Sequence, residues 1–295
     1  MSTGAVLRSR QTGLSRRWGH LLDRVSRVLL YAILIVGSFL FLLPLLWMIS
    51  TALKPSQDVY VFPPQFIPHS FIWNNFLTAW TSRNFGRYFW NTTFITVTVL
   101  VGVIGSASLC AYGFARLSFV GRRTLFICVL ATMMLPGTVT LIPTYVLFKI
   151  FGWLDTFKPL IIPAWFGGGA FNIFLLRQFF LTIPRELEDA ARIDGASTFG
   201  IFWRIFLPLS KPALAVVAVF TFQGVWNDFL GPLIYLNSPS KFTLALGLYS
   251  FIGQYSTKEN LMMAVALIMI LPVILIFAFG QRFLIQGVVM TGLKG

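Results

Sequence analysis

Charge is scarce in this chain. Asp, Glu, Lys and Arg make up 11% of its 295 residues, against roughly 25% in an ordinary soluble domain. A soluble protein of this length needs far more charge to cover its surface, so that class is excluded. Cysteine is nearly missing. Cys110 and Cys128 are the only two, too few for a disulfide scaffold, and in their apolar surroundings they read as small apolar residues. Histidine is reduced to His20 and His69, and no His, Cys and Asp cluster has metal-ligand spacing. No G-x-x-x-x-G-K-S/T run occurs, so the chain does not cradle nucleotide phosphates in the P-loop manner.

Apolar residues are abundant. They form 57% of the chain, with 31 Phe, which excludes disorder and leaves a protein that crosses a bilayer several times. Six long stretches are free or nearly free of charge: 28–53, 88–115, 124–148, 159–176, 212–227 and 260–281. Their unbroken apolar character predicts helices, because barrel strands alternate apolar and polar residues. The expected fold class is all-α, a polytopic membrane protein with six transmembrane helices. Pro44, Pro136, Pro143, Pro163 and Pro272 fall in or near these stretches, each marking either a kink or an unwound segment that lines a cavity.

Six spans put both ends on one side. Sixteen of the 23 Lys and Arg residues then fall on the side of the N-terminus, so both ends are expected to be cytoplasmic. This bias accounts for the net charge of +14 without any nucleic-acid partner. The first apolar stretch is longer than the 7–15 residues of a signal peptide's core and reads as an uncleaved anchor. The expected organisation is a basic arm (1–27), a transmembrane domain (28–286) and a short cytoplasmic tail (287–295).

Two polar islands interrupt the apolar pattern. The outer one, 54–87, holds Pro55, Pro63, Pro64 and Pro68, which forbid a long helix before Pro68; Trp73 and Trp80 are expected as interfacial anchors. The second, 184–211, lies on the cytoplasmic side and carries four of the nine acidic residues: Glu186, Glu188, Asp189 and Asp194. Pro184 suits a first helical turn, and the acids after it suit the positive end of a helix dipole. Gly195 permits a left-handed stop. Ser197 is placed to cap a second short helix that ends before Pro208. A helix resting on lipid carries Lys and Arg on its polar face, whereas this one leads with acids. It is either an ordinary capped loop helix or one shaped for another protein's groove.

At this island the sequence resembles a known family. Asp189-Ala190-Ala191, three residues, Gly195, nine residues, then Ile205-x-Leu207-Pro208 matches the spacing of the EAA loop of bacterial ABC importer permeases. Asp189 stands where that pattern has Glu, with Glu188 beside it. Trp226-Asn227-Asp228-Phe229 with Pro232, the run Tyr112-Gly113-Phe114-Ala115-Arg116, and the ending Gly292-Leu293-Lys294-Gly295 are similar to the carbohydrate-importer permeases, the group that includes the maltose permease's six-span subunit. The resemblance implies a type I ABC importer permease fold in a bacterial inner membrane and a non-catalytic chain that binds no cofactor. It implies an ATPase dimer that uses ATP and Mg, a homologous second permease and an extracytoplasmic sugar-binding protein. It implies that Glu188, Asp189, Ala190, Ala191, Asp194, Gly195, Ile205, Leu207 and Pro208 couple this chain to the ATPase. The segment 249–258, with Tyr249, Gln254 and Tyr255, is then the candidate contact for the binding protein, and 287–295 a second approach to the ATPase.

The path of the solute is less sharply marked. Asn91, Asn172, Gln223, Asn227 and Asp228 are candidate polar lining, and Trp226 offers an aromatic face. Asn227 and Asp228 read equally as a span-end polar cluster. Two rival functions stand beside the importer. An ion-coupled secondary transporter would place ionisable residues at mid-membrane, whereas Asp228 lies only at a span end. An intramembrane enzyme would need a reactive cluster, and none is visible.

Overall fold

The computed structural model of the chain describes residues 3–252 and 258–292, with side chains for 24–252 and 258–283. All regular elements among the described residues are helical. The chain divides into two compact units, 1–72 and 73–295.

The first unit is a single long helix, α1 (Thr3–Leu53), and the loop that follows it. Within α1, Arg24–Leu53 is long and apolar enough to cross a membrane. Pro44 sits inside the helix without ending it. The proline-rich loop folds back on the helix end. The Ile72 N–H bonds the Leu53 carbonyl at 2.9 Å, and the Lys54 ammonium lies 4.2 Å from the Trp47 ring centroid while donating to the Gln65 carbonyl. The Ile72 bond satisfies one of the carbonyls that a helix end leaves open.

The second unit begins with α2 (Asn74–Ser82) and the central helix α3 (Phe85–Arg116). Along α3, Ile95, Val99, Val103, Ala107 and Ala111 recur every fourth residue and form one buried stripe, as a helical period requires. Small residues let neighbouring backbone approach closely, as membrane helix packing favours. A β-carbon on Gly102 would lie 2.6 Å from the Trp165 ring, and Ser106 Oγ donates to the Ala164 carbonyl at 3.0 Å.

The third apolar stretch is not one straight crossing. It forms α4 (Arg122–Thr132) and α5 (Gly137–Ile150), bent by 98° at the intervening break. Pro136 sits at that break with extended backbone; it has no N–H to continue a helix and disfavours helical geometry in the residue before it. Pro143, about two turns farther on, is carried inside α5. The fourth stretch is α6 (Lys158–Ile161) with a 3-10 turn (Ile162–Trp165), then α7 (Ala170–Thr182). Gly167, Gly168 and Gly169, all at positive φ, join the two parts. Irregular backbone at membrane depth is tolerated where protein covers it. Gly168 meets that condition: a β-carbon there would lie 2.8 Å from the Val103 carbonyl oxygen of α3.

After α8 (Arg185–Ile193) comes a continuous segment, Thr198–Leu209, made of α9 (Thr198–Ile201), a π turn (Phe202–Phe206) and α10 (Leu207–Leu209). Then α11 (Lys211–Trp226) runs at 76° to it. The second short helix was expected to stop before Pro208. It does not, because the chain widens ahead of the proline. The Leu207 N–H reaches back to the Phe202 carbonyl, and this π turn relieves the crowding that a proline ring imposes on the preceding turn. Next come α12 (Leu230–Tyr235), α13 (Leu244–Tyr249) and α14 (Glu259–Gly292), the last with Pro272 inside it. Among the described residues, four helical segments qualify as spans outright, and counting each bent pair as one crossing brings the number to six.

Candidate functional site

The acid-headed helix α8 forms as its residues dictate. Pro184 precedes it in extended backbone, Glu186 and Glu188 occupy its first turn, and Arg192 its last; these three charges match the nearer end of the dipole, while Arg185 at the first position opposes it. It closes in a Schellman turn. The Ala196 N–H bonds the Ala191 carbonyl at 2.9 Å and the Gly195 N–H the Arg192 carbonyl at 3.0 Å, with Gly195 at φ +79°, the left-handed state this motif needs. Ser197 Oγ then accepts the Gly200 N–H at 3.1 Å and caps the next helix.

The four acids of the loop do not share a face. Glu188 is buried at 6% exposure. Its Oε1 accepts from Arg192 Nη2 at 2.7 Å, and its Oε2 lies 3.9 Å from Arg116 Nη1. Arg116, the last residue of α3, also donates to the carbonyls of Phe180, at 2.6 Å, and Ile183. Both carbonyls lie at the end of α7, where a cation is favoured. Tyr112, one turn earlier, donates to the Thr198 carbonyl at 3.4 Å and packs against Phe202 and Phe206 with ring centroids 5.2 and 4.9 Å away. Two side chains of α3 thereby bind the end of α7, the back of α8 and the start of α9. Glu188 belongs to this inward clamp, which separates it from the exposed acids Glu186, Asp189 and Asp194. The outer surface also carries Ala190, Leu187 and Ile193, the last two at 44% and 87% exposure. Ala191, Ile205 and Leu207 pack against the core, and Pro208 is exposed. Nothing in the local sequence gives Arg116 and Tyr112 this role. An arginine in the last turn of a span, with an acidic loop elsewhere in the chain, was the signal available.

The candidate solute path is rearranged. Trp226 is 3% exposed; its Nε1 donates to the Met269 carbonyl at 3.0 Å, and its ring stacks on Phe222, centroids 5.2 Å apart. It is a packing residue with its polar atom satisfied, not an open face for a sugar. Asn172 Nδ2 donates to the Gly168 carbonyl at 2.7 Å and steadies the glycine turn. Asp228 Oδ1 accepts the Gly231 N–H at 3.1 Å, capping α12, and borders a cavity of about 50 Å³ with Thr92 and Thr243. Asn91 holds the carbonyls of Ser240 and Phe242 at 3.0 and 2.9 Å. Gln223, in the last turn of α11, and Asn227, just past its end, remain exposed, with Asn227 Nδ2 donating to the Gln223 backbone carbonyl at 2.9 Å. Tyr249 is exposed, 5.4 Å from the Phe229 ring. Gln254 and Tyr255 lie outside the described residues, as do the side chains of 287–295. No cluster of three or more His, Cys, Asp or Glu suited to a metal occurs among the described residues.

A second polar knot joins the turn before α6 to the loop 236–241. Asp155 accepts from the N–H groups of Asn237 and Ser238 at 3.0 and 2.9 Å, from Ser238 Oγ at 2.6 Å and from Lys241 Nζ at 2.9 Å. The Ser238 contacts, aided by Lys241 and Asn237, hold its carboxyl well below the usual carboxylate range.

Residues 104–289 match the family described as "Binding-protein-dependent transport system inner membrane component". The chain is 31% identical over 262 residues to the diacetylchitobiose uptake system permease of Streptomyces coelicolor, covering 88% of this chain and 86% of that one. It is 32% identical over 280 residues to the arabinooligosaccharides transport system permease of Bacillus subtilis, covering 92% and 97%. Its fold is shared with a chain of a bacterial ABC transporter involved in the import of alginate, with a TM-score of 0.78 and 24% identity over 88% of this chain and 96% of that one. The span pattern, the family match and these relatives together identify a non-catalytic, multi-pass inner-membrane permease subunit, and the chain belongs to the family of binding-protein-dependent transport system inner membrane components.

Proposed function

We propose that this chain lines one half of an oligosaccharide translocation path and takes its driving force from a separate P-loop ATPase dimer through α8. A homologous second permease completes the path, an extracytoplasmic binding protein delivers the sugar, and ATP and Mg are used by the ATPase alone. The observation that carries this reading is the two-sidedness of α8. Its back is clamped to α3 and α7 through Glu188 and Arg116, while Leu187, Asp189, Ala190, Ile193 and Asp194 stay exposed. Such a helix is a handle, since movement of a docked partner passes to the span ends without being lost in a loose loop. Rigid rocking of one bundle against another is what alternating access requires.

The charge bias supports cytoplasmic termini and a cytoplasmic α8. The relatives' substrates, diacetylchitobiose and arabinooligosaccharides, support an oligosaccharide as the solute. Gln223 and Asn227 are the amides left to meet it, and the segment around Tyr249 is the surface left for the binding protein.

Mild-detergent purification of the tagged full chain, with every co-purifying protein identified, tests the assembly. A second permease and a P-loop ATPase are the expected companions. A chain that purifies alone and still supports uptake driven by an ion gradient after ATP depletion would overturn the reading in favour of a secondary transporter.

A further inference from the structure

A cavity of about 450 Å³ opens beside α4, at the same helix ends as α8, lined by Phe114, Arg122, Arg123, Phe126, Ile127 and Arg177. Three guanidinium groups from two helices share it. None of the three takes part in an ion pair among the described residues. Two are anchored by backbone. Arg177 Nε donates to the Phe114 carbonyl at 3.2 Å, with its guanidinium carbon 4.2 Å from the Phe126 ring centroid, and Arg122 Nη1 donates to the Leu117 carbonyl at 2.9 Å. A guanidinium carries five N–H donors, so both keep donors for a ligand.

The local sequence runs against the ordinary rule for helix ends. Arg122 and Arg123 open α4, and Gly121 before them, at φ +79°, supplies no side-chain cap. The positive end of a helix dipole favours anions and disfavours cations. Two arginines there, facing a third, form a concentration of positive charge that an anion would relieve. Departures of this kind from local consistency mark functional sites. The floor decides what sort of anion fits. Phe114, Phe126 and Ile127 give the cavity apolar walls, and Leu125 and Ile127 continue outward at 52% and 54% exposure. A fully hydrated small anion gains nothing from that surface, whereas an acyl chain does.

We propose that this cavity binds an anionic phospholipid, with its phosphate on Arg122, Arg123 and Arg177 and an acyl chain along Ile127 and the flank of α4. Basic pockets between membrane helices suit such headgroups, and each Lys or Arg near an anionic surface contributes about 1 kcal/mol, which is roughly a fivefold change in affinity. The bound lipid would brace the α4 end against α7, the helix whose C-terminal carbonyls Arg116 holds.

The test is native mass spectrometry of the full chain titrated with dioleoyl-phosphatidylglycerol or dioleoyl-phosphatidylcholine. The phosphatidylglycerol should be retained preferentially. Arg123→Gln, at an exposed position, should weaken it roughly fivefold, and the triple Arg122→Gln, Arg123→Gln, Arg177→Gln variant about a hundredfold, with phosphatidylcholine unchanged. Equal retention of the two lipids by the wild-type chain would overturn the proposal, and that comparison does not depend on any variant folding. Displacement of the phosphatidylglycerol by millimolar inorganic phosphate would reassign the cavity to a soluble anion and overturn it too. So would cross-linking of an Arg123→Cys variant in intact membranes to an acidic segment of a partner protein.

Discussion

Replacing Glu188 by Gln should release α8 from the span ends without unfolding the bundle. The side chains of Glu188 and Arg116 are 8% and 4% exposed and lie 3.9 Å apart. At an effective dielectric near 20, unit charges at that distance interact by about 4 kcal/mol. The amide keeps the shape and one acceptor oxygen for Arg192, and Arg116 keeps the carbonyls of Phe180 and Ile183. The net loss is therefore smaller than for a buried pair broken outright, about 2 kcal/mol, or close to a thirtyfold shift in the local opening equilibrium. Hydrogen exchange followed by mass spectrometry, on the full chain in lipid nanodiscs, reads this directly. The amides of 185–193 should exchange about thirtyfold faster, while those of 95–111 in α3 keep their protection. Arg116→Gln should loosen the same amides, and the double variant should cost less than the sum of the two. Unchanged exchange of 185–193 in Glu188→Gln would refute the clamp.

Three further outcomes are expected. A β-carbon on Gly195 meets nothing within 4 Å, so Gly195→Asp should cost only the left-handed backbone, about 1 kcal/mol, and leave membrane insertion normal; a complete loss of uptake would then report a docked partner at that surface, and normal uptake would count against docking. Gly168→Ala, whose β-carbon would lie 2.8 Å from the Val103 carbonyl oxygen, should lower stability by about 2–5 kcal/mol, whereas Gly169→Ala, with its nearest neighbour at 3.8 Å, should cost only the backbone strain of φ +90° and ψ +139°, about 1–3 kcal/mol; thermal melting in detergent ranks the two. Asp155 has a carboxyl held below its unfolded value, so its contribution is present above the ordinary carboxylate pKa and is lost only as pH falls through the lower folded value. Exchange of the 236–241 amides should stay flat from pH 7 to about 4 once corrected for intrinsic rates, and Asp155→Ala should raise it already at pH 7.

The apolar helices, and the stop and start between α8 and α9, were legible in the sequence because they rest on neighbouring residues. An apolar run of 20 or more residues has few ways to satisfy its backbone in lipid. Gly195 and Ser197 stop one helix and start the next through bonds that span only a few positions. The all-α class, the acid-headed helix and the family resemblance follow from such local patterns.

Which way a polar side chain faces was decided by the tertiary structure, because its partners lie far along the chain. Glu188 and Asp189 are adjacent and chemically alike, yet Arg116, from the end of α3, draws Glu188 inward and leaves Asp189 exposed. Trp226 reads as an open aromatic until the Met269 carbonyl of α14 takes its N–H. The prolines divide in the same way. Pro136 breaks its span by 98° while Pro44 and Pro272 stay inside helices, and Pro208 is absorbed by a π turn whose Phe202 and Phe206 bury against Tyr112. A missing N–H is local chemistry, but whether the helix survives it depends on what packs around the freed carbonyl, and the fold supplies that.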